Sequence, residues 1–210
     1  MNLILLGPPG AGKGTQAEVL EQKLNIPSIC TGMLLRNAIG EGTQLGKEAE
    51  GYIAKGNLVP DTLVVSLLKE RLSHSDTMNG FILDGFPRTC AQAELLDTIC
   101  SIDKVLSLEV KDEEILKRLS GRRVCNQCGA SYHTIYKPSR QDMVCDNCGA
   151  ALSIREDDKE ETVLNRLNVY HSQTEPIKEY YRLRGKLYIA YGQEEVSDTT
   201  KEVLRVLGLE

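Results

Sequence analysis

The sequence predicts an α/β fold: a doubly wound parallel sheet of about five strands with helices on both faces, interrupted by two insertions. Three observations predict it. Short runs rich in Ile, Leu and Val recur with helix-like stretches between most of them, which is the order of a sheet buried on both faces. A glycine-rich stretch follows the first run and leads into the first helical pattern. At 210 residues the chain can bury a substantial core, yet one domain carrying insertions is favoured over two equal domains.

The elements follow in order. Residues 2–6 form an apolar run without a basic leader, so they read as a buried strand and not as a secretion signal. Over residues 15–24, Val19, Leu20 and Leu24 recur at helical spacing, and Asn25 with Pro27 supplies a stop. Further strands are expected at 27–30, 80–84, 104–110 and 187–190. Between the second and third of these five strands, glycines recur from Gly32 to Gly56 among short helical pieces, the composition of a small mobile segment. Residues 121–159 break the alternation with four cysteines, scattered polar residues and an acidic run, and read as an insertion. Internal repeats, low-complexity tracts and long linkers are absent.

Composition narrows the function. Lys and Arg number 25 against 30 Asp and Glu, a net charge of −5, which argues against an extended surface for nucleic acid or for an anionic membrane. No segment approaches the apolar length of a membrane span. The expected compartment is the cytoplasm, where structural disulfides are rare, so clustered cysteines among the seven point to metal or catalysis.

Two motifs carry phosphate chemistry. The string Gly7-Pro8-Pro9-Gly10-Ala11-Gly12-Lys13-Gly14-Thr15 stands between the first strand and the first helix. Glycines let backbone N–H groups fold around an anion, the helix N-terminus adds positive potential, and Lys13 supplies a mobile charge: a P-loop. Its departure is Gly14, which separates Lys13 from Thr15, where Ser or Thr usually follows the lysine directly. In Phe81-Ile82-Leu83-Asp84-Gly85-Phe86-Pro87-Arg88, an acid ends an apolar strand and an arginine lies just beyond. Alone, a strand-end Asp is more often a turn residue. Beside a phosphate loop it can hold Mg²⁺ directly or through water, and Arg88 can grip a phosphate.

Cys125-x-x-Cys128 and Cys145-x-x-Cys148 are separated by sixteen residues, and each pair is followed by glycine, Gly129 and Gly149. That spacing suits a closed, structural tetrathiolate zinc site. Two redox pairs or four unrelated buried thiols explain neither the spacing nor the matched glycines. Between the pairs, Lys137 and Arg140 with Tyr132 and Tyr136 form a poor footprint for nucleic acid, and residues 142–161 are acidic. An insertion too small for a core of its own would use metal–ligand bonds instead. Cys30, Cys90 and Cys100 have no partners at ligand spacing.

These motifs, with Thr31-Gly32 and Arg36 in the first insertion and Arg155-Glu156-Asp157-Asp158 through Arg166 after the second, resemble adenylate kinase in its long form with a zinc-bearing lid. The resemblance spans essentially the whole chain. It implies Mg²⁺-dependent transfer of the γ-phosphoryl group of ATP to AMP, giving two ADP, by a chain in three parts: a core of residues 1–29, 60–121 and 160–210, an AMP-side flap of 30–59 and a zinc lid of 122–159. It implies ATP contacts from Gly10, Ala11, Gly12, Lys13, Gly14 and Thr15, from Arg122, Ser131 and Tyr132 of the lid, and from the Glu194 region near the adenine. AMP would be held by Thr31, Arg36, Asn57, Leu58, Val59, Gly85, Phe86, Pro87, Arg88 and Gln92, with Thr31 and Gln92 reading the base. Lys13, Arg88, Arg122, Arg155 and Arg166 would serve the transferred group, and Asp84 the Mg²⁺. Arg118 and Arg123 enter only as neighbours of Arg122. The resemblance also implies a monomer.

One departure stands out. Similar proteins usually read Ser-Thr-Gly-Asp-Met-Leu-Arg where this chain reads Cys30-Thr31-Gly32-Met33-Leu34-Leu35-Arg36. An acid there would pair with a lid-side arginine on closure, so Met33 is expected to weaken closure or AMP binding. Two rivals remain at this stage: a kinase for another nucleoside monophosphate, and a nucleotide-dependent zinc-ribbon binding module without kinase activity.

Overall fold

A computed structural model describes all residues, 1–210. Five parallel strands form the main sheet: β1 (Asn2–Leu6), β2 (Ser28–Cys30), β3 (Phe81–Asp84), β4 (Lys104–Glu109) and a last strand, Leu187–Tyr191. Their spatial order is β2, β3, β1, β4 and then the last strand. The strands fall on the five apolar runs within a residue or two. Helix α1 (Lys13–Leu24) starts two residues earlier than its apolar spacing suggests, because Gly12 turns into it with φ 100 and the loop's own lysine already lies on the first turn. Asn25 ends it in the left-handed conformation.

The central strand shows why the sheet is doubly covered. Leu3 and Leu5 of β1 face one core while Ile4 and Leu6 face the other, following the two-residue period of a strand. On the first side lie Ala17 and Leu20 of α1, with Ile115 and Leu119 of a helix at Asp112–Ser120. On the second lie Leu68 and Leu96, from helices at Asp61–Leu72 and Cys90–Asp97. Each of these buried leucine and isoleucine side chains contributes about 1.5–3 kcal/mol relative to exposure. The helices after β2 are α2 (Thr31–Gly40) and α3 (Gln44–Ala54), and α4 is the Asp61–Leu72 helix. Gly46 brings α3 against α2 so closely that a Cβ there would overlap the Ala38 carbonyl.

Residues after the Asp112–Ser120 helix leave the main sheet. Strands at Arg122–Cys125, Ser131–His133 and Leu152–Ser153 pair antiparallel into a small second sheet, with the first of them in the middle. Its buried cluster holds only Cys125, Ala130, Tyr132, Cys145 and Leu152. The chain returns through a helix at Glu160–Val169, a π-helical turn at Tyr170–Thr174 and a helix at Ile177–Arg182, and closes with a helix at Val196–Leu207. No helix is long and apolar enough to cross a membrane.

Two contacts join the small sheet to helices α1 and α2. Lys137 Nζ donates to Glu18 Oε2 of α1 at 2.6 Å. At the other end, the Met33 side chain of α2 lies over Gly129, which has φ +79, and a Cβ on that glycine would overlap the Met33 methyl. Position 33, where the resemblance implies an acid, is thus filled by a thioether resting on the cysteine turn.

Candidate active site

The main cleft opens at the C-terminal ends of the parallel strands, where α/β sheets of this kind place their ligands. Of the residues assigned to the acceptor nucleotide, Thr31, Arg36, Asn57, Leu58, Val59, Gly85, Pro87, Arg88, Gln92, Arg155 and Arg166 line it. Lys13 lines it as well, whereas Gly10, Ala11, Gly12, Gly14 and Thr15 sit around the start of α1 beside it. Phe86 requires a correction: its side chain is fully buried in the core cluster with Leu83 and Ala93, so only its backbone is available to a ligand. The Phe86–Pro87 peptide is cis.

Lys13 Nζ donates to the carbonyls of Gly7 and Pro8 at 2.7 and 2.8 Å. Burial pushes its pKa down to about 8, opposed by the charge of Asp84. Asp84, 9% exposed at the end of β3, lies near the start of α1, 3.8 Å from where a Cβ on Gly14 would stand. Its carboxylate makes no side-chain hydrogen bond within the chain, so its oxygens are free for a hydrated cation.

The arginines converge from distant segments and are held by two acids. Arg122 pairs through Nε with Asp158 Oδ2 at 2.7 Å and through Nη2 with the other oxygen. Arg155 pairs in the same forked manner with Asp157, at 2.8 Å through Nε. Arg166 Nη1 reaches the Asp157 carbonyl at 2.8 Å and Asp158 Oδ1 at 3.0 Å. Arg88 Nε donates to the Gly85 carbonyl at 2.7 Å. Burial opposes ionisation of Asp157, but Arg155 and Arg166 outweigh it and hold its pKa well below the usual carboxylate range. Burial and the neighbouring cations push Arg36 and Arg166 down to about 10. A cleft in which cations outnumber carboxylates and guanidinium groups are partly desolvated is built for a polyanion.

Asp157 and Asp158 are functional candidates that sequence reasoning left unassigned, although Arg155-Glu156-Asp157-Asp158 was visible as a string. The signal was present as two acids beside an arginine. Their burial, which marks them as counter-ions and not as a solvated acidic run, needed the fold. Arg118 likewise gains a place: its guanidinium bridges the Ala11 carbonyl at 3.2 Å and the Gln193 carbonyl at 2.8 Å, tying the phosphate loop to the segment that holds Glu194. Glu194 itself is exposed, between the last strand and the last helix.

The second sheet brings the four cysteine sulfurs within 4.8 Å of one another. Cys125 and Cys148 sulfurs are 3.4 Å apart, and those of Cys128 and Cys145 3.5 Å. Four thiolates at zinc-bond length around one ion stand ~3.8 Å apart, so the donor set fits a tetrahedral zinc site. Tyr132 is corrected by this geometry. Strand alternation turns it inward between Ser131 and His133, where its hydroxyl accepts from Asp146 N at 2.8 Å and faces Cys145 Sγ at 3.5 Å. Its side chain thus supports the cysteine cluster.

A phosphate loop, a strand-end acid and buried arginines arranged around one cleft define a P-loop nucleotide phosphotransferase. Known proteins agree: the family model described as adenylate kinase matches residues 5–186. The adenylate kinase of Caldicellulosiruptor bescii is 59% identical over 215 aligned residues, covering all of both chains. Those of Acetivibrio thermocellus and Staphylococcus aureus are 56% and 49% identical, each covering 99% of this chain and 98% and 99% of their own. The chain belongs to the adenylate kinase family.

Proposed function

We propose that this chain moves the γ-phosphoryl group of ATP to AMP, giving two ADP, with its residues in the following roles. An AMP phosphate oxygen attacks the γ-phosphorus as the bond to the β,γ-bridging oxygen breaks. The nucleophile is already an anion, so no general base is required and catalysis rests on positioning and cationic stabilisation. Lys13 leaves the Gly7 and Pro8 carbonyls for the donor phosphates. Arg36 and Arg88 hold the AMP phosphate, and Arg122, Arg155 and Arg166 turn from Asp157 and Asp158 toward the transferred group. Asp84 would hold Mg²⁺ through water, and the ion would neutralise part of the phosphate charge of the donor nucleotide.

The same reading divides the chain into a core, an AMP-side flap of residues 30–59 and a lid of residues 122–159 stapled by zinc on Cys125, Cys128, Cys145 and Cys148. The zinc is structural, since four thiolates leave no open position. Closure excludes water, whose attack on ATP is the competing reaction. The protein acts as a monomer in the cytoplasm, on ATP, AMP and ADP, without nucleic acid or membrane as partner.

The observation that carries the reading is the convergence of Lys13, Arg36, Arg88, Arg155 and Arg166 on one cleft. The decisive measurement is ADP formation from ATP, Mg²⁺ and a panel of nucleoside monophosphates. AMP is expected to be the preferred acceptor; absence of ADP formation with AMP, or equal turnover with CMP and UMP, would refute the assignment.

A further inference from the structure

Gln92 is 2% exposed and lies at the cleft wall on the first turns of the Cys90–Asp97 helix. Its amide is engaged on both sides. The backbone N–H of Arg88 donates to Oε1 at 2.7 Å, and Nε2 donates to Asp61 Oδ1 at 2.6 Å. A backbone N–H can only donate and an ionised carboxylate can only accept, so the two partners demand the same orientation of the amide. The flipped amide would set N–H against N–H and oxygen against oxygen. In the orientation observed, one lone pair on Oε1 and one N–H on Nε2 remain unspent.

A primary amide with one acceptor and one donor left over matches a base edge bearing a donor beside an acceptor. Adenine offers this through its N6 amino group and an adjacent ring nitrogen. A 6-oxopurine places a carbonyl where adenine has the amino group and, on its Watson–Crick edge, an N–H where adenine has a bare nitrogen. A freely rotating amide meets either base by turning over. Discrimination therefore requires that something stop the turn.

We propose that Asp61 is a specificity-determining positioning residue: it locks the Gln92 amide in the one orientation that accepts adenine and rejects a 6-oxopurine. Asp61 stands at the first position of α4, thirty-one residues away from Gln92 in the chain, and touches it across the floor of the flap. The proposal rests on the reading of Gln92 as a contact of the acceptor base.

The test compares AMP with IMP, which differs at the purine 6-position and N1. Asp61→Asn offers either a donor or an acceptor to Gln92, and Asp61→Ala offers neither. In Asp61→Ala the ratio of kcat/KM for AMP to that for IMP is expected to fall by about tenfold or more, mainly through KM, and in Asp61→Asn by less, because its carbonyl can still accept from Nε2. Melting temperatures are measured beside the kinetics, and assays are run well below them. A purely structural role would weaken AMP and IMP by the same factor, and an unchanged ratio in the folded Asp61→Ala variant overturns the proposal. Gln92→Met separates the two layers. If it also leaves the ratio unchanged, the reading of Gln92 as a base contact fails. If it lowers the ratio while both Asp61 variants do not, that reading stands and the lock alone is refuted.

Discussion

Lys13 is a cation held away from water, and its proton is consequently easy to lose. With a pKa lowered to about 8 from 10.5, it costs the free protein stability at neutral pH, and that cost is relieved as pH rises from about 8 toward 10.5. Phosphates reverse the effect by favouring the charged form. ATP binding at pH 8.5–9 is therefore expected to take up a proton, seen by calorimetry in buffers of different ionisation enthalpy. Uptake should vanish near pH 7, where the lysine is already charged, and in Lys13→Met. Lys13 was legible as a phosphate-loop residue because its motif is local. Asp61, Asp158 and the inward turn of Tyr132 were not, since each depends on a partner that folding brings from elsewhere in the chain.

At the level of elements, α2 and α3 are joined by a close approach that leaves no room at Gly46. Gly46→Ala is expected to cost about 1–3 kcal/mol through overpacking, several degrees in Tm. Gly51 in the same helix is exposed with nothing near it. Gly51→Ala should instead stabilise by up to about 1 kcal/mol, from helix propensity alone. Thermal melts of the two variants therefore move in opposite directions. The main strands could be read from their Ile, Leu and Val runs, since burial on both faces demands such runs. The short strands around the cysteines could not, because two to four residues carry too little pattern and their pairing depends on the cysteine turns.

For the molecule as a whole, the small sheet has a five-residue cluster and four clustered thiols. Such a cluster cannot offset the ordering of the forty or so residues around it, roughly 1–2 kcal/mol for each backbone unit. Chelation is expected to remove one zinc per chain, to give a separate low-temperature transition for residues 122–159, and to lower kcat. A single cooperative melt with unchanged turnover after metal removal would show that the staple is dispensable. The five-stranded parallel sheet was open to sequence reasoning; the contact of the small sheet with α1 and α2 was not.

That touch has a consequence for how the protein responds to ionic strength. An acid at position 33 would act on the small sheet by charge, and exposed charges are largely screened beyond ~10 Å at 0.1 M salt. Met33 on Gly129 makes an apolar contact, which added salt does not screen. The opposite attachment, Lys137 to Glu18, is a half-exposed ion pair that concentrated salt does weaken. In brine the small sheet would thus loosen first where it meets α1 and stay seated where it meets α2.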